Sequence, residues 1–363
     1  MTMTVRKLSG SILSPLGFTA GETYDALSEG RTALRLHEGT FGIPEPFTAS
    51  LFDRDLLMET AAGRDIRGFS LFETACLLSQ QDAIREAGIN PASPDVIFVL
   101  STIKGNDGRM QTRIGEFWGA AHPVITVSNA CISGLAALIH ARRLLLEGRY
   151  KYAVVTGCEI QTRFIVSGFQ SLKALSPEPC RPFDKDRNGL NLGEAAATMV
   201  LGLSEDNTLW EIGRGAVRND ANHISGPSRT GEGSFNVLRS VLTDCRKEDL
   251  AFVNVHGTAT LYNDEMESVA IARADLLETP VNALKGTFGH TMGAAGILET
   301  LLSMRALEEG IVLPTRGLHE IGVSHAINAS PAARKARGKC FIKLLSGFGG
   351  CNAALLLRKG GER

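Results

Sequence analysis

The sequence predicts an α/β protein built from two similar halves, and three observations support this. Short apolar runs typical of strands alternate with helix-like segments along the whole chain. One helix-like segment of the first half returns, with the same length, in the second half. A chain of 363 residues, 44% of them apolar and 21% charged, is long enough to bury a large core.

The predicted strands of each half are read from its apolar runs. In the first half these runs cover residues 96–100, 123–127, 152–157 and 196–203. In the second half they cover residues 251–257, 280–286, 340–350 and 352–359. The connecting segments are long enough for helices, so the pattern indicates α/β units in both halves.

The repeat lies in residues 131–148 and 293–310, which align without gaps. Gly134 then falls opposite Gly296. Both segments begin with small residues and are apolar on most sides, so we expect two central helices that approach each other closely. Polar residues follow the last strand of the first half, and we therefore divide the chain into an N-terminal half, 1–205, and a C-terminal half, 206–363.

Composition narrows the classes of function. A net charge of −1 gives no reason to expect binding to nucleic acid or to a membrane surface. No apolar stretch approaches the roughly 20 residues of a membrane span, and the N-terminus lacks the apolar core of a signal peptide. Seven cysteines without paired spacing are typical of a reducing compartment, so we expect a cytoplasmic protein without disulfides and without a metal site.

Cys131 is the first candidate for chemistry, because it lies between the apolar run 123–127 and the first repeated helix. The unpaired N–H groups and the dipole of a helix N-terminus favour an anion, so this position predicts a lowered thiol pKa and a nucleophile. The alternative interpretation is a small buried apolar side chain, which is the more common role of a single cysteine.

Two histidines of the second half are the next candidates. His256 directly follows an apolar run and lies in a turn rich in Gly and Thr, and His290 lies in the loop before the second repeated helix, with Lys285 just upstream. Loops at the ends of strands are where α/β proteins place functional groups. Each histidine alone could equally be an ordinary surface residue.

A turn rich in glycine follows the apolar run near the C-terminus. Gly347, Gly349 and Gly350 suit a tight hairpin, because glycine adopts positive φ values without strain. They would also let backbone N–H groups approach a substrate, and we therefore count Gly349 among the candidate substrate-binding residues. Too little chain follows for a dinucleotide-binding unit.

Five motifs in this order resemble those of the β-ketoacyl-acyl-carrier-protein synthases of the thiolase superfamily. They are the loop ending in Cys131, the "RPFD" to "GEA" stretch of 181–195, "HGTAT" at 256–260, the "K" to "GAAG" stretch of 285–296, and "GFGG" at 347–350 followed by Asn352. "SPLG" at 14–17 extends the resemblance over nearly the whole chain. Cys351 departs from the pattern, where Thr or a similar residue is usual.

The resemblance implies a thiolase-like fold of five layers, α-β-α-β-α, and a decarboxylating condensation that needs no cofactor. By this resemblance, Cys131 would carry the acyl chain, and His256 and His290 would serve decarboxylation of a malonyl group. The remaining implied roles are orientation of His290 by Lys285 and Glu299, contacts of Thr258 and Thr260 with the pantetheine arm, and an aromatic gate at Phe348. Backbone N–H groups of Cys131 and Phe348 would form the oxyanion hole.

The implied partner is an acyl-carrier protein loaded with acyl or malonyl groups. The region before Cys131 is short for the family, which raises the hypothesis of a heterodimer with a related subunit in place of a homodimer. Two other functions stay open. One is a non-catalytic partner subunit that sets chain length, and the other is a thiolase acting on CoA esters, for which Cys351 would be the second cysteine.

Overall fold

The computed structural model describes residues 3–105 and 108–361. The strands of the first half are β1 (Thr4–Leu13), β2 (Arg35–His37), β3 (Phe47–Ser50), β4 (Val96–Ser101), β5 (Ile125–Val127), β6 (Tyr152–Glu159), β7 (Leu192–Gly193) and β8 (Ala195–Ser204). Its helices are α1 (Ala20–Ser28), α2 (Arg54–Ala62), α3 (Leu71–Ala87), α4 (Arg109–Trp118), α5 (Ser133–Leu146) and α6 (Arg163–Ser171).

The second half contains the remaining elements. Its strands are β9 (Glu211–Asn219), β10 (Leu250–Asn254), β11 (Pro280–Asn282), β12 (Ile311–Val312), β13 (Asn328–Ala329), β14 (Arg334–Lys335), β15 (Cys340–Gly347) and β16 (Cys351–Arg358). Its helices are α7 (Glu232–Leu242), α8 (Leu261–Arg273), α9 (Lys285–Phe288) and α10 (Ala295–Glu308). Among the described residues, no helix is both long and apolar enough to cross a membrane.

The two halves share one strand order. In the first half the order is β5-β4-β6-β8-β1, and in the second it is β11-β10-β15-β16-β9, with β13 added at the edge. In each half the first three of these strands are parallel and the last two run antiparallel to their neighbours. The same topology in both halves confirms the predicted duplication. Within the described residues, pairing of Arg6 with Glu211 joins the two sheets into one of 11 strands.

Helices and sheets alternate in five layers. Helix α3 packs on the outer face of the first sheet, and α7 packs on the second sheet together with α8. Helices α5 and α10 lie between the sheets and contact strands of both. The predicted α-β-α-β-α arrangement is therefore confirmed. The predicted boundary near residue 205 falls between β8 and β9, and we retain the division into halves 1–205 and 206–363 as a proposal.

The two repeated segments form the central pair of helices. Helices α5 and α10 each have 14 residues and begin and end at positions that the gap-free alignment makes equivalent. They meet at their glycines: a Cβ placed on Gly296 would lie 2.3 Å from the backbone nitrogen of Leu135, and one on Gly134 would lie 2.9 Å from the carbonyl oxygen of Gly293. The small residues therefore let the two backbones touch, as the sequence predicts.

Candidate active site

Cys131 lies in a tight turn between β5 and α5. The turn is closed by the hydroxyl of Ser133, which accepts from the backbone N–H of Asn129 at 2.8 Å and donates to the carbonyl oxygen of Ala130 at 2.6 Å. Ala130 has a φ of 44°, a left-handed conformation that is strained for a residue with a side chain. This sharp turn, made immediately before the helix, fixes the direction in which the Cys131 side chain leaves the backbone.

The expected lowering of the thiol pKa is not found. Burial raises the pKa of Cys131 to about 12, and the nearby Cys351 adds to the rise. Lys285 and a hydrogen bond from the backbone N–H of Phe348 act in the opposite direction without overcoming the loss of hydration. The lowered thiol pKa expected from the helix N-terminus was therefore wrong in sign. Cys131 therefore rests as a thiol, and a role as nucleophile would require a base to take its proton.

His256 follows β10 in a loop that two carboxylates hold in place. Glu267 of α8 accepts from the backbone N–H groups of His256 and Gly257, both at 2.7 Å. Asp264, one turn earlier in α8, accepts from Thr258 at 3.0 Å and from the next residue at 3.2 Å. Sequence reasoning did not identify these two carboxylates. Their spacing of three residues, on one face of the helix that follows the loop, was the available signal.

His290 is fixed by backbone hydrogen bonds on both sides. Its N–H donates to the carbonyl oxygen of Asn191 at 2.7 Å, and its carbonyl oxygen accepts from Gly193 at 3.0 Å. The backbone N–H of Met292 donates to Nδ1 of the imidazole at 3.2 Å. A ring nitrogen that accepts carries no proton, so the neutral ring holds its proton on Nε2. This Nε2 is buried and has no partner among the described residues.

The fold brings the three predicted catalytic side chains together. The sulfur of Cys131 and ring nitrogens of His256 and His290 all lie within 4.8 Å of one another. The two rings meet edge to face, with centroids 4.9 Å apart. Burial, and after it the charge of Lys285, lowers the pKa of both histidines well below the usual value. Both rings are therefore neutral at physiological pH.

A cysteine and two histidines this close could also hold a metal ion, but the hydrogen bonds do not suit one. A metal on Nε2 of His290 would require the proton to move to Nδ1, where the backbone N–H of Met292 already donates. With its proton on Nε2, the ring is a hydrogen-bond donor directed into the site. Such a donor suits an oxyanion or an enolate oxygen rather than a metal ion.

A buried charged cluster lies behind the histidines. The ammonium of Lys285 donates to the carbonyl oxygen of His256 at 2.7 Å and to the carboxylate of Glu299 at 2.8 Å. The side chain of Lys285 thus supports the backbone of His256, whereas the resemblance assigned it to His290. Lys343 of β15 bonds to the second oxygen of Glu299 and is also fully buried. Sequence reasoning missed Lys343, although a lysine inside an apolar strand was a visible signal.

The glycine-rich turn connects β15 and β16 and places Phe348 beside Cys131. The ring of Phe348 stacks on Phe169 with centroids 5.7 Å apart, and its role as an aromatic gate stays a prediction. Gly349 has a φ of 82°, but its N–H donates to the carbonyl oxygen of Ile224 at 2.6 Å. Gly349 also does not line the cavity, so its predicted contact with substrate is not supported.

A cavity of about 470 Å³ opens onto the three predicted catalytic side chains. Thr258 and Thr260 line it, and their hydroxyl oxygens are 2.9 Å apart. Other lining side chains are apolar and strongly exposed, namely Leu172, Ile224, Leu261 and Tyr262. The arrangement provides an open, mainly apolar channel that leads to a thiol and two neutral imidazoles.

Comparison with known proteins points to one family. The chain matches the family model of the β-ketoacyl synthase N-terminal domain over residues 97–207 and that of the C-terminal domain over residues 210–319. It is 32% identical to 3-oxoacyl-[acyl-carrier-protein] synthase 2 of Vibrio cholerae, over 82% of this chain and 75% of that protein. It is 27% identical to the tetracenomycin polyketide synthase ketoacyl synthase alpha subunit of Streptomyces glaucescens, over 96% of this chain and 95% of that protein. Among solved structures, the ishigamide ketosynthase/chain length factor matches with a TM-score of 0.85 at 25% identity, over 99% of this chain and all of that one.

Proposed function

The chain belongs to the β-ketoacyl synthase family, and we propose that Cys131, His256 and His290 carry the condensation that it catalyses. The reaction joins an acyl chain to a malonyl group on an acyl-carrier protein, with loss of CO₂, in fatty-acid or polyketide biosynthesis. The observation that carries the residue assignment is the meeting of one thiol and two neutral imidazoles within 4.8 Å, at a cavity open to substrate.

Acyl transfer comes first. The sulfur of Cys131 bonds to the acyl carbon, the thioester bond to the carrier breaks, and the proton of the thiol passes to the departing pantetheine sulfur. Neutral His256 is close enough to relay that proton. The backbone N–H groups of Cys131 and Phe348 would stabilise the oxyanion, an effect of about 3 kcal/mol per donor.

Condensation follows on the same residues. The bond between the malonyl carboxylate and its α-carbon breaks, CO₂ leaves, and the electron pair forms an enolate on the thioester. Nε2–H of His290 and the ring of His256 donate to the enolate oxygen, a role that their closeness to the sulfur of Cys131 supports. The α-carbon then attacks the acyl carbon on Cys131, and the cysteine sulfur leaves as a thiolate that takes a proton from water to restore the thiol. Neutral imidazoles stabilise the enolate without losing it to protonation on carbon.

The shape of the cavity supports a carrier-bound substrate. The hydroxyls of Thr258 and Thr260 line the wall, where they can bond to the amides of a pantetheine arm. The exposed position of Phe348, stacked on Phe169 at the cavity wall, supports a gate that moves aside when the acyl chain enters. We propose that the acyl-carrier protein delivers both substrates through the apolar mouth.

Mass spectrometry tests the assignment. The protein is incubated with an acyl-acyl-carrier-protein, digested and searched for an acyl adduct, and malonyl-acyl-carrier protein is then added to follow CO₂ and the β-ketoacyl product. We expect the adduct on Cys131 and no adduct in Cys131→Ser. Absence of any adduct in the natural chain would favour a non-catalytic subunit that sets chain length. Condensation that releases no CO₂ would favour a thiolase.

We also propose that this chain pairs with a ketosynthase-like subunit through β5. This strand is at the edge of the large sheet, and the described residues leave its outer side unpaired. Ile125 and Val127 are only partly buried there, and the buried hydroxyl of Thr126 has no partner within residues 3–105 and 108–361. Such edges favour pairing with another strand. The ketosynthase/chain length factor to which this chain is similar supports a heterodimer as one form of the pair.

Light scattering on the chain expressed alone tests this pairing. A stable homodimer would show that no second subunit is required, and a monomer would indicate a heterodimer. A monomer that retains full condensation activity would contradict the proposed interface. We further propose a cytoplasmic location, which the seven free thiols support, and cell fractionation would test it.

A further inference from the structure

Lys343 is a charged residue in the middle of an apolar strand. It belongs to β15, where its flanking residues Ile342 and Leu344 are fully buried, and it is itself fully buried. Its ammonium bonds to Glu299 and lies 3.4 Å from the carbonyl oxygen of Val255. Val255 directly precedes His256, so Lys343 contacts the backbone immediately before one of the two histidines.

The charges of this cluster do not cancel. Glu299 is the carboxylate shared by Lys285 and Lys343, one ammonium on each oxygen. Burial raises the pKa of Glu299, but the two lysines together hold it below its usual value, so the carboxylate is ionised. With both lysines protonated, the three residues carry a net charge of +1.

That excess charge is not needed for packing. One lysine would already pair with Glu299, and a buried ammonium loses several kcal/mol of hydration that its partners must offset. An apolar side chain of similar volume in β15 would avoid this loss. We therefore explain the second buried lysine by its closeness to the proposed reaction site, where a negative charge develops on the enolate.

We propose that Lys343 is a positioning residue for the decarboxylation step. It keeps the cluster around Glu299 positively charged behind His256 and His290, so that both rings remain neutral donors and the enolate forms in a favourable electrostatic field. The inference rests on the proposed function. It adds a residue that acts through the histidines and does not itself contact the substrate.

The electrostatics of the site agree with this role. Burial contributes most to the lowered pKa of His256 and of His290, but the charge of Lys343 acts in the same direction on both. Burial also lowers the pKa of Lys343 itself to about 8, against the opposing effects of Glu299 and Glu267 and in the same direction as Lys285. The cluster therefore begins to lose its excess charge just above physiological pH.

The test compares Lys343→Met with Lys343→Arg, which retains the charge, and with Leu345→Met, a neutral change in the same strand. For each protein, three quantities are measured: acylation of Cys131, decarboxylation of malonyl-acyl-carrier protein from pH 5.5 to 9, and the urea midpoint of unfolding. Acylation reports on the proposed function by itself. Its absence in the natural chain would refute that function and not the role of Lys343.

We expect Lys343→Met to slow decarboxylation about tenfold at pH 7 and to move the acidic limb of its pH profile upward by ~1 unit, since one lost charge changes a nearby pKa by this order. The natural chain should show a fall in rate near pH 8, because Lys343 loses its charge there, and Lys343→Met should not show this fall. Acylation should change much less, and Lys343→Arg should recover part of the rate.

Two outcomes would overturn the proposal. One is a uniform loss of rate at every pH together with a lower urea midpoint, which would make Lys343 a structural residue only. The other is a natural chain whose decarboxylation shows no decline up to pH 9. The second result needs no variant, so the inference can be refuted even if Lys343→Met does not fold.

Discussion

Replacing Gly296 by alanine tests whether direct backbone contact between the central helices holds the site together. A Cβ at this position would lie 2.3 Å from the nitrogen of Leu135 and 2.7 Å from the carbonyl carbon of Gly134. Both are backbone atoms, so no side chain can rotate away. Helices α5 and α10 would have to separate by about 1 Å to reach ordinary van der Waals contact.

The expected change in the free energy of unfolding of Gly296→Ala is the difference between two effects. Forced separation of well-packed elements costs about 1–3 kcal/mol, and sometimes more. Alanine recovers up to ~1 kcal/mol through its better helix propensity and the reduced freedom of the unfolded chain. We therefore expect Gly296→Ala to destabilise the protein by about 1–2 kcal/mol. Because α10 follows the loop of His290, it should also reduce decarboxylation.

Gly168 of α6 provides the matched control. It is a helical glycine whose added Cβ would meet nothing within 4 Å, so Gly168→Ala should be neutral or stabilising by up to ~1 kcal/mol. Urea unfolding followed by circular dichroism gives the two midpoints, which should move apart relative to the natural chain. Equal midpoints for the two variants would refute the argument from close backbone contact.

Three other predictions concern the reacting groups. Cys351→Ser should keep at least half of the condensation activity in a product assay. The thiol donates to the carbonyl oxygen of Phe348 at 3.2 Å, and a hydroxyl can do the same. Loss of most activity would favour the thiolase alternative. His290→Ala should slow decarboxylation about 100-fold while leaving acylation of Cys131 measurable by mass spectrometry, since one donor to the enolate is lost. Because the pKa values of both histidines are lowered, the rings stay neutral as the pH falls, and activity should decline only well below pH 6.5. A half-maximal rate at pH 6.5 or above in buffered stopped assays would contradict this prediction.

The sequence predicted the features that depend on local pattern and order. The repeated segments 131–148 and 293–310 predicted two central helices, and these begin and end at equivalent positions. The order of motifs placed Cys131, His256 and His290 in loops beside these helices or after a strand, where the structure brings them together. Repeats and motif order can be read from the sequence because they depend on residues that are close to one another along the chain.

Features that depend on distant neighbours were not predictable in this way. The helix N-terminus suggested a lowered pKa for Cys131, but the extent of burial, which raises it, is set by contacts from both halves. Lys343 bonds to a carboxylate 44 residues away, and no local pattern reveals that pairing. Gly349 has the backbone freedom that was expected, yet its N–H is taken by a loop more than a hundred residues earlier.

The backbone N–H of Met292 donates to Nδ1 of His290 and so keeps the ring proton on Nε2. This hydrogen bond also limits the ability of the ring to activate water as a base. An imidazole whose free nitrogen faces a main-chain donor cannot accept a proton from a solvent molecule entering the channel. A thioester waiting on Cys131 therefore meets no general base at this position. The hydrogen bond that directs Nε2–H of His290 into the site thus also prevents this ring from acting as a general base for hydrolysis of an acyl chain on Cys131.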